Sequence, residues 1–155
     1  MYNLKKRRII LKLVIQRTKE ATVQINGDIC SKTGKGMLIL FGVEKNDTED
    51  KIDYLVNKVL NLRFFEDENE KMNLSIKDID GEIMVVSQFT LAANCSKGQR
   101  PSFDNAMKPD IANEYYEKFV SKLRESDLVV KTGVFGADMK VALINDGPVT
   151  FILEK

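Results

Sequence analysis

A chain of 155 residues and 17.6 kDa is long enough for one domain and too short for two comfortable ones. Hydrophobic residues at 43% and charged residues at 30% exclude wholesale disorder, and no apolar run approaches the roughly 20 residues a membrane span needs. Net charge is +1; without the basic run Lys5, Lys6, Arg7 and Arg8 the remaining 20 basic and 23 acidic residues leave −3, which excludes a broadly basic nucleic-acid binder.

From the N-terminus, Met1–Arg8 reads as a disordered extension or an upstream start, with an electrostatic arm for polyanions as the other reading. The apolar stretch Ile9–Ile15 is interrupted by Lys12 and lacks a small-residue cleavage site, so a signal peptide is not expected. Ile10–Gln16 is β-branched and apolar and reads as a strand. Ala21–Ile25 alternates, and Asn26-Gly27 after it is the strongest short hairpin signal, with Asp28–Thr33 as the return strand. Gly34-Lys35-Gly36 is a turn, and the continuous apolar run Met37–Val43 is expected to be a central strand.

Thr48 looks like a helix N-cap, with Glu49 and Asp50 in the first turn. Ile52, Leu55, Val56, Val59 and Leu60 then make one apolar stripe at helical spacing. Leu62–Phe65 is a short strand and Asp67–Lys71 a polar turn. Ile83–Val86 is a buried strand expected to run on through Ser87-Gln88-Phe89-Thr90. A polar loop, Ala92–Asn105, holds Lys97, Gly98, Gln99 and Arg100. Pro109 opens a second helix, whose Ile111, Tyr115, Phe119 and Leu123 share one face. Leu128–Lys131 is a strand, Thr132–Asp138 a Gly-rich loop, and Met139–Ile144 and Val149–Leu153 are strands around Asn145-Asp146-Gly147-Pro148. The order is no regular βαβ alternation. The expected fold is therefore a single mixed α/β domain, with a mostly antiparallel or barrel-like sheet and two long helices on one side.

Histidine is absent, and the two cysteines, Cys30 and Cys95, form no CxxC pair. An imidazole triad and a His- or Cys-ligated metal site are thereby excluded, so a site here is expected to work with no metal and no cofactor. A disulfide framework is not expected either, which suits a reducing cytoplasm.

Three stretches carry polar or backbone-special residues that a plain core does not need. In a strand, Ser87 and Phe89 would point one way and Gln88 and Thr90 the other, so an amide and a hydroxyl would share a surface at a strand end. Asn145-Asp146-Gly147-Pro148-Val149-Thr150 reads first as a hairpin turn; its Gly-Pro has no Pro N–H, and a fixed loop of this kind can aim carbonyl oxygens at a ligand. Gly133-Val134-Phe135-Gly136-Ala137-Asp138-Met139 has two glycines flanking an apolar pair, which permits close backbone approach and forms no nucleotide-binding glycine motif. Each stretch by itself is equally a surface loop or strand end.

Together they resemble the D-aminoacyl-tRNA deacylases, small homodimeric enzymes. The resemblance runs from Leu13-Val14-Ile15-Gln16-Arg17 to the C-terminus, leaving residues 1–11 as an N-terminal extension and 12–155 as the domain. It is carried by Ser87-Gln88-Phe89-Thr90-Leu91, Arg100-Pro101-Ser102-Phe103, Thr132–Met139 and Asn145–Thr150. What it implies is hydrolysis of the ester that joins a D-amino acid to the terminal adenosine of tRNA, with tRNA and a second copy of the chain as partners. Gly147-Pro148 would reach into the partner's pocket as a Gly-cis-Pro element, gripping the substrate α-amino group and excluding L-side chains; glycyl esters would still pass. Backbone N–H groups around Gln88 and Phe89 would stabilise the oxyanion. Two accounts of the nucleophile stay open: Thr90, or water assisted by the substrate's ribose 2′-OH with Ser87 holding the pocket. Phe135, Met139 and Thr150 would lie near the substrate and its adenosine, and Lys97 and Arg100 either touch phosphate or are solvated charges. The alternatives from the residues themselves are a non-catalytic RNA-binding β-module and a small Thr- or Ser-dependent esterase of other substrates.

Overall fold

A computed structural model describes residues 7–155. Its elements in chain order are β1 (Lys12–Ile25), β2 (Asp28–Thr33), β3 (Gly36–Gly42), α1 (Asp50–Asn61), β4 (Phe65–Glu66), β5 (Met72–Leu74), β6 (Glu82–Ser87), the 3-10 turn η1 (Phe89–Ala92), α2 (Pro109–Arg124), β7 (Val130–Thr132) and β8 (Lys140–Glu154). The main sheet runs β2-β1-β3-β6-β7, with β8 on the other side of β1. All three partners of β1 are antiparallel to it, whereas β3–β6 and β6–β7 are parallel. At the far ends β2 and β7 meet: Ser31 Oγ donates to the Thr132 carbonyl at 2.6 Å and Lys131 Nζ to the Lys32 carbonyl at 2.8 Å. The sheet thus curls into a nearly closed, barrel-like form.

The Asn26-Gly27 turn forms as expected, because both residues take positive φ (52° and 83°), as a two-residue hairpin of this hand requires. Strand β3 is central, and every residue in it except Leu40 is buried, since it is covered on both faces. Its first residue has no alternative to glycine: a Cβ on Gly36 would stand 1.8 Å from the Glu82 carbonyl oxygen of β6.

Both helices cover one face. Ile52, Leu55, Val56 and Val59 of α1 and Tyr115, Phe119 and Leu123 of α2 join Leu13, Ile15, Ile39, Phe41 and Val85 of the sheet in one core cluster. Each fully buried apolar side chain among them contributes roughly 1.5–3 kcal/mol over an exposed one. The other face holds a smaller cluster, Ala21, Val23, Leu38, Met84 and Val86. Among the described residues no helix is long and apolar enough to cross a membrane.

Several element boundaries differ from the sequence reading. The strand pair expected at Ile10–Gln16 and Ala21–Ile25 is one strand, β1, because β8 pairs along nearly all of it and carries the polar Arg17–Glu20 stretch through two register shifts. Likewise Met139–Ile144 and Val149–Leu153 belong to a single strand, β8, and the expected hairpin turn is an excursion within it. Thr48 is not the cap of α1; Glu49 occupies that position with helical φ and ψ, and no side chain caps the helix. Ile111 lies in the first turn of α2 beyond the core edge and is exposed. The short strands start later than expected, at Phe65 and Val130.

Lys5 and Lys6 lie outside the described residues. Residues 7–11 pack on the domain: Leu11 is fully buried and exchanges backbone hydrogen bonds with Lys155 at 3.0 and 3.1 Å. The Arg7 guanidinium grips Glu44 through two contacts of 2.7 and 3.2 Å, while Arg8 is exposed.

Candidate active site

Strand β6 ends earlier than its sequence suggests. Ser87 is its last residue, opposite Phe41 of β3. Gln88 (φ −141°, ψ 84°) then turns the chain into η1, which lies over Gly42: a Cβ there would stand 2.7 Å from Leu91 Cβ. The missing side chain of Gly42 is thus the space that η1 fills. The two-faced strand expected for Ser87–Thr90 is overturned by this turn, yet the anticipated neighbours still meet, since the Gln88 amide and Thr90 hydroxyl hydrogen-bond one another.

The turn decides which amides are free. The Gln88 N–H donates to the Phe41 carbonyl at 2.8 Å, so one of the two expected oxyanion donors is already engaged. The N–H groups of Phe89 and Thr90, at the start of η1, make no hydrogen bond among the described residues, as the first donors of a helical turn lack internal partners.

A cavity of about 270 Å³ opens beside them, walled by Val86–Phe89 on one side and Gly136–Met139 with Val141 on the other. Met139 reaches it because Gly133 leaves room: a Cβ at Gly133 would lie 2.3 Å from the Met139 sulfur. Ser87 and Met139 are half-buried in this wall, whereas Thr90, one residue beyond Phe89, is exposed. Asp138, to which the sequence reading gave no role, also lines the cavity, with its carboxylate 3.0 Å from Lys140 Nζ.

Phe135 goes elsewhere. Its ring packs near Tyr116 of α2, 6.1 Å between centroids, and lines a different cavity, of about 490 Å³. Tyr116 is buried there and donates to the Val85 carbonyl at 2.9 Å; burial pushes its hydroxyl pKa up to about 12. Phe135 and Met139 therefore serve two cavities, divided by the loop that carries both.

Gly147-Pro148 is in neither. Between Thr150 opposite Gln16 and Asn145 opposite Thr18, β8 spends residues 146–149 against Arg17 alone on β1, so these four bulge outward. Val149 anchors the bulge in the core, and Gly147 and Pro148, joined by a cis peptide bond, stand exposed at its tip. Asn145 braces it, accepting from Val149 N–H at 2.8 Å and donating to Thr150 Oγ1 at 3.0 Å. Thr150 thus supports the bulge and is not beside Met139. Beneath lies Arg17, only 6% exposed, whose Nε donates to the Asp146 carbonyl at 2.8 Å and whose other nitrogens reach the Phe64 carbonyl and Glu66. Arg17 is the main residue that the sequence reading left without a role; its signal was its place in the first shared stretch. A separate cavity of about 220 Å³ lies between Arg17, Lys35, Glu66 and Gly147.

Lys97 and Arg100 are exposed and form no ion pair among the described residues. Their loop is closed by paired backbone bonds between Asn94 and Ser102, 2.8 and 2.9 Å.

Against known proteins, residues 14–154 match the family described as D-Tyr-tRNA(Tyr) deacylase. A D-aminoacyl-tRNA deacylase of Thermodesulfovibrio yellowstonii is 55% identical over 140 residues, 90% of this chain and 96% of that protein. One of Flavobacterium psychrophilum is 57% identical over 145 residues, 93% and 97% of the respective chains. Among solved structures, the c-Myc DNA unwinding element binding protein superposes with a TM-score of 0.87 at 42% identity, covering 93% of this chain and 98% of its own. A probable eukaryotic D-amino acid tRNA deacylase gives 0.83 at 16% identity, covering 95% and 100%, a likeness of fold alone.

Proposed function

The chain belongs to the D-Tyr-tRNA(Tyr) deacylase family, and from that membership we propose that it hydrolyses the ester of D-aminoacyl-tRNA, and of mischarged glycyl-tRNA, while sparing L-aminoacyl esters. The observation that carries the site assignment is the pair of unbonded amides, that of Phe89 in the cavity wall beside Ser87 and that of Thr90 next in the chain. With the ester carbonyl between them, these dipoles meet the charge that grows on its oxygen as water adds. The tetrahedral adduct then collapses: the bond to the ribose oxygen breaks, that oxygen takes a proton, and the free D-amino acid leaves.

Water assisted by the substrate's own 2′-OH is the nucleophile we favour. The Thr90 hydroxyl is tied to the Gln88 amide, the chain has no imidazole, and the cavity's carboxylate, Asp138, is paired with Lys140. Activation of Thr90 would need a base within hydrogen-bond reach. Ser87 holds the cavity wall, and Met139 shapes it from the opposite side. Phe135 offers an aromatic surface across the dividing loop for the adenosine.

The chiral filter works between subunits. Within one chain, Gly147-Pro148 and the Ser87 cavity belong to separate hollows, which supports a selecting element supplied by a second copy: the exposed bulge of one protomer enters its partner's cavity. There it presents a rigid backbone, held by Arg17, Asn145 and Val149, on which an L-side chain would collide. The test is hydrolysis of D-tyrosyl-tRNA against L-tyrosyl-tRNA, by the wild type and by Thr90→Ala. We expect cleavage of the D-ester alone, with Thr90→Ala within about tenfold of the wild type; a loss of roughly a thousandfold or more would make Thr90 the nucleophile. Cleavage of neither ester would refute the assignment.

A further inference from the structure

The cavity accounts for the esterified end of the substrate but leaves unexplained an aromatic pair that runs out from its wall. Phe89 and Phe103 meet at 5.2 Å between centroids with their rings inclined by 62°. They are 57% and 41% exposed, while Phe41, Phe64, Phe65 and Phe119 are all at or below 2%. Phe89 is in the cavity wall, so the pair begins at the site and extends away from it. Its geometry is built: the Asn94–Ser102 bonds close the intervening loop, and Ala106 N–H bonds back to the Phe103 carbonyl at 3.0 Å, setting Phe103 directly after the closure. The same loop carries two cations without ion-pair partners among the described residues, Lys97 and Arg100, against one carboxylate, Asp104.

We propose that Phe89 and Phe103 form a stacking step for the base of the nucleotide preceding the esterified adenosine, with Lys97 and Arg100 attending its phosphates. The inference rests on the reaction proposed above. Exposed aromatic rings interleaved with cations are what a single-stranded nucleic acid engages, through π-faces that every base possesses and a backbone that needs only positive charge. The 3′ end of a tRNA is such a strand. A weakly charged protein surface fits this mode, because stacking supplies affinity that salt does not screen.

The test compares two esters, D-tyrosyl-tRNA and D-tyrosyl-adenosine, which lacks the preceding nucleotide. For Phe103→Ala, kcat/KM on the tRNA ester should fall about 5- to 100-fold, chiefly through KM, while the adenosine ester stays within about twofold. Phe103→Trp should restore the tRNA rate, and Lys97→Gln with Arg100→Gln should flatten the salt dependence of KM on tRNA alone. An equal fall on both esters would overturn the proposal, leaving Phe103 as a support of the cavity. So would dissociation of Phe103→Ala from dimer to monomer in sedimentation, which would make the pair an interface between copies. If the wild type cleaves neither ester, the reaction is wrong and the stacking step is judged by binding of the trinucleotide CCA. Weaker binding by Phe103→Ala then supports it, and equal binding overturns it.

Discussion

Arg17 shows how a single side chain sets the geometry of a loop far away in sequence. Its guanidinium is buried yet hydrogen-bonded to the Asp146 and Phe64 carbonyls and to Glu66, so its planar fork ties three segments together. A lysine places one compact charge there and cannot reproduce that fork. Arg17→Lys is expected to fold, to lower Tm by several degrees, and to cut kcat/KM on the D-tyrosyl ester at least about tenfold while raising relative activity on the L-ester. Steady-state rates on both esters check this; unchanged selectivity would mean that Arg17 serves stability alone. At this scale the sequence was only half legible. Ser87, Gln88, Phe89 and Met139 stand out in the sequence as candidates, but that they line one cavity, and which amides are free there, depends on the fold: the Gln88 N–H is taken by the Phe41 carbonyl, 47 residues upstream.

The elements that carry strong periodicity were legible, and those that depend on a partner strand were not. The α1 stripe and the Asn26-Gly27 turn follow from local residues, because 3.6-residue spacing and positive φ leave few options. The bulge at residues 146–149 does not: by itself Asn-Asp-Gly-Pro is a good turn, and only pairing with β1 on both sides makes it an excursion within one strand. The α2–sheet contact supplies a pH prediction. Tyr116 is neutral and buried, and burial raises its pKa from 10.0 to about 12. A raised pKa stabilises the fold fully below pH 10, where both states are protonated, and that contribution is lost as pH climbs towards 12. The loss is roughly 2 to 3 kcal/mol. Denaturant titrations should show the wild type losing its advantage over Tyr116→Phe across this window; a constant difference would mean that Tyr116 ionises without unfolding cost.

At the scale of the whole molecule, β8 is the exposed flank. It pairs only with β1 among the described residues, and it presents Ile144, Phe151 and Ile152 to solvent, Ile152 at 61%. A long apolar edge strand is a liability unless something covers it. The same strand carries Gly147-Pro148, so a second copy docked on this flank would bring the bulge toward another cavity. Ile152→Asp is therefore expected to yield a folded monomer with less than about a tenth of the deacylase activity, since an unpaired buried charge costs several kcal/mol. Sedimentation and circular dichroism would verify it, and an active dimer would place the interface elsewhere.

The sequence by itself determined the mixed α/β class, the apolar face of α1, the family and the short polar stretches proposed to carry the chemistry. These rest on local spacing and on residue types whose conformational options are few. The tertiary structure decided which of those stretches share a hollow. It put Ser87, Phe89 and Met139 around one cavity, sent Phe135 to another, and left Gly147-Pro148 exposed over Arg17. The reason is that each placement is set by contacts between residues distant in the chain. Register between β1 and β8, the empty space above Gly42 and the gap at Gly133 exist only once the sheet has closed.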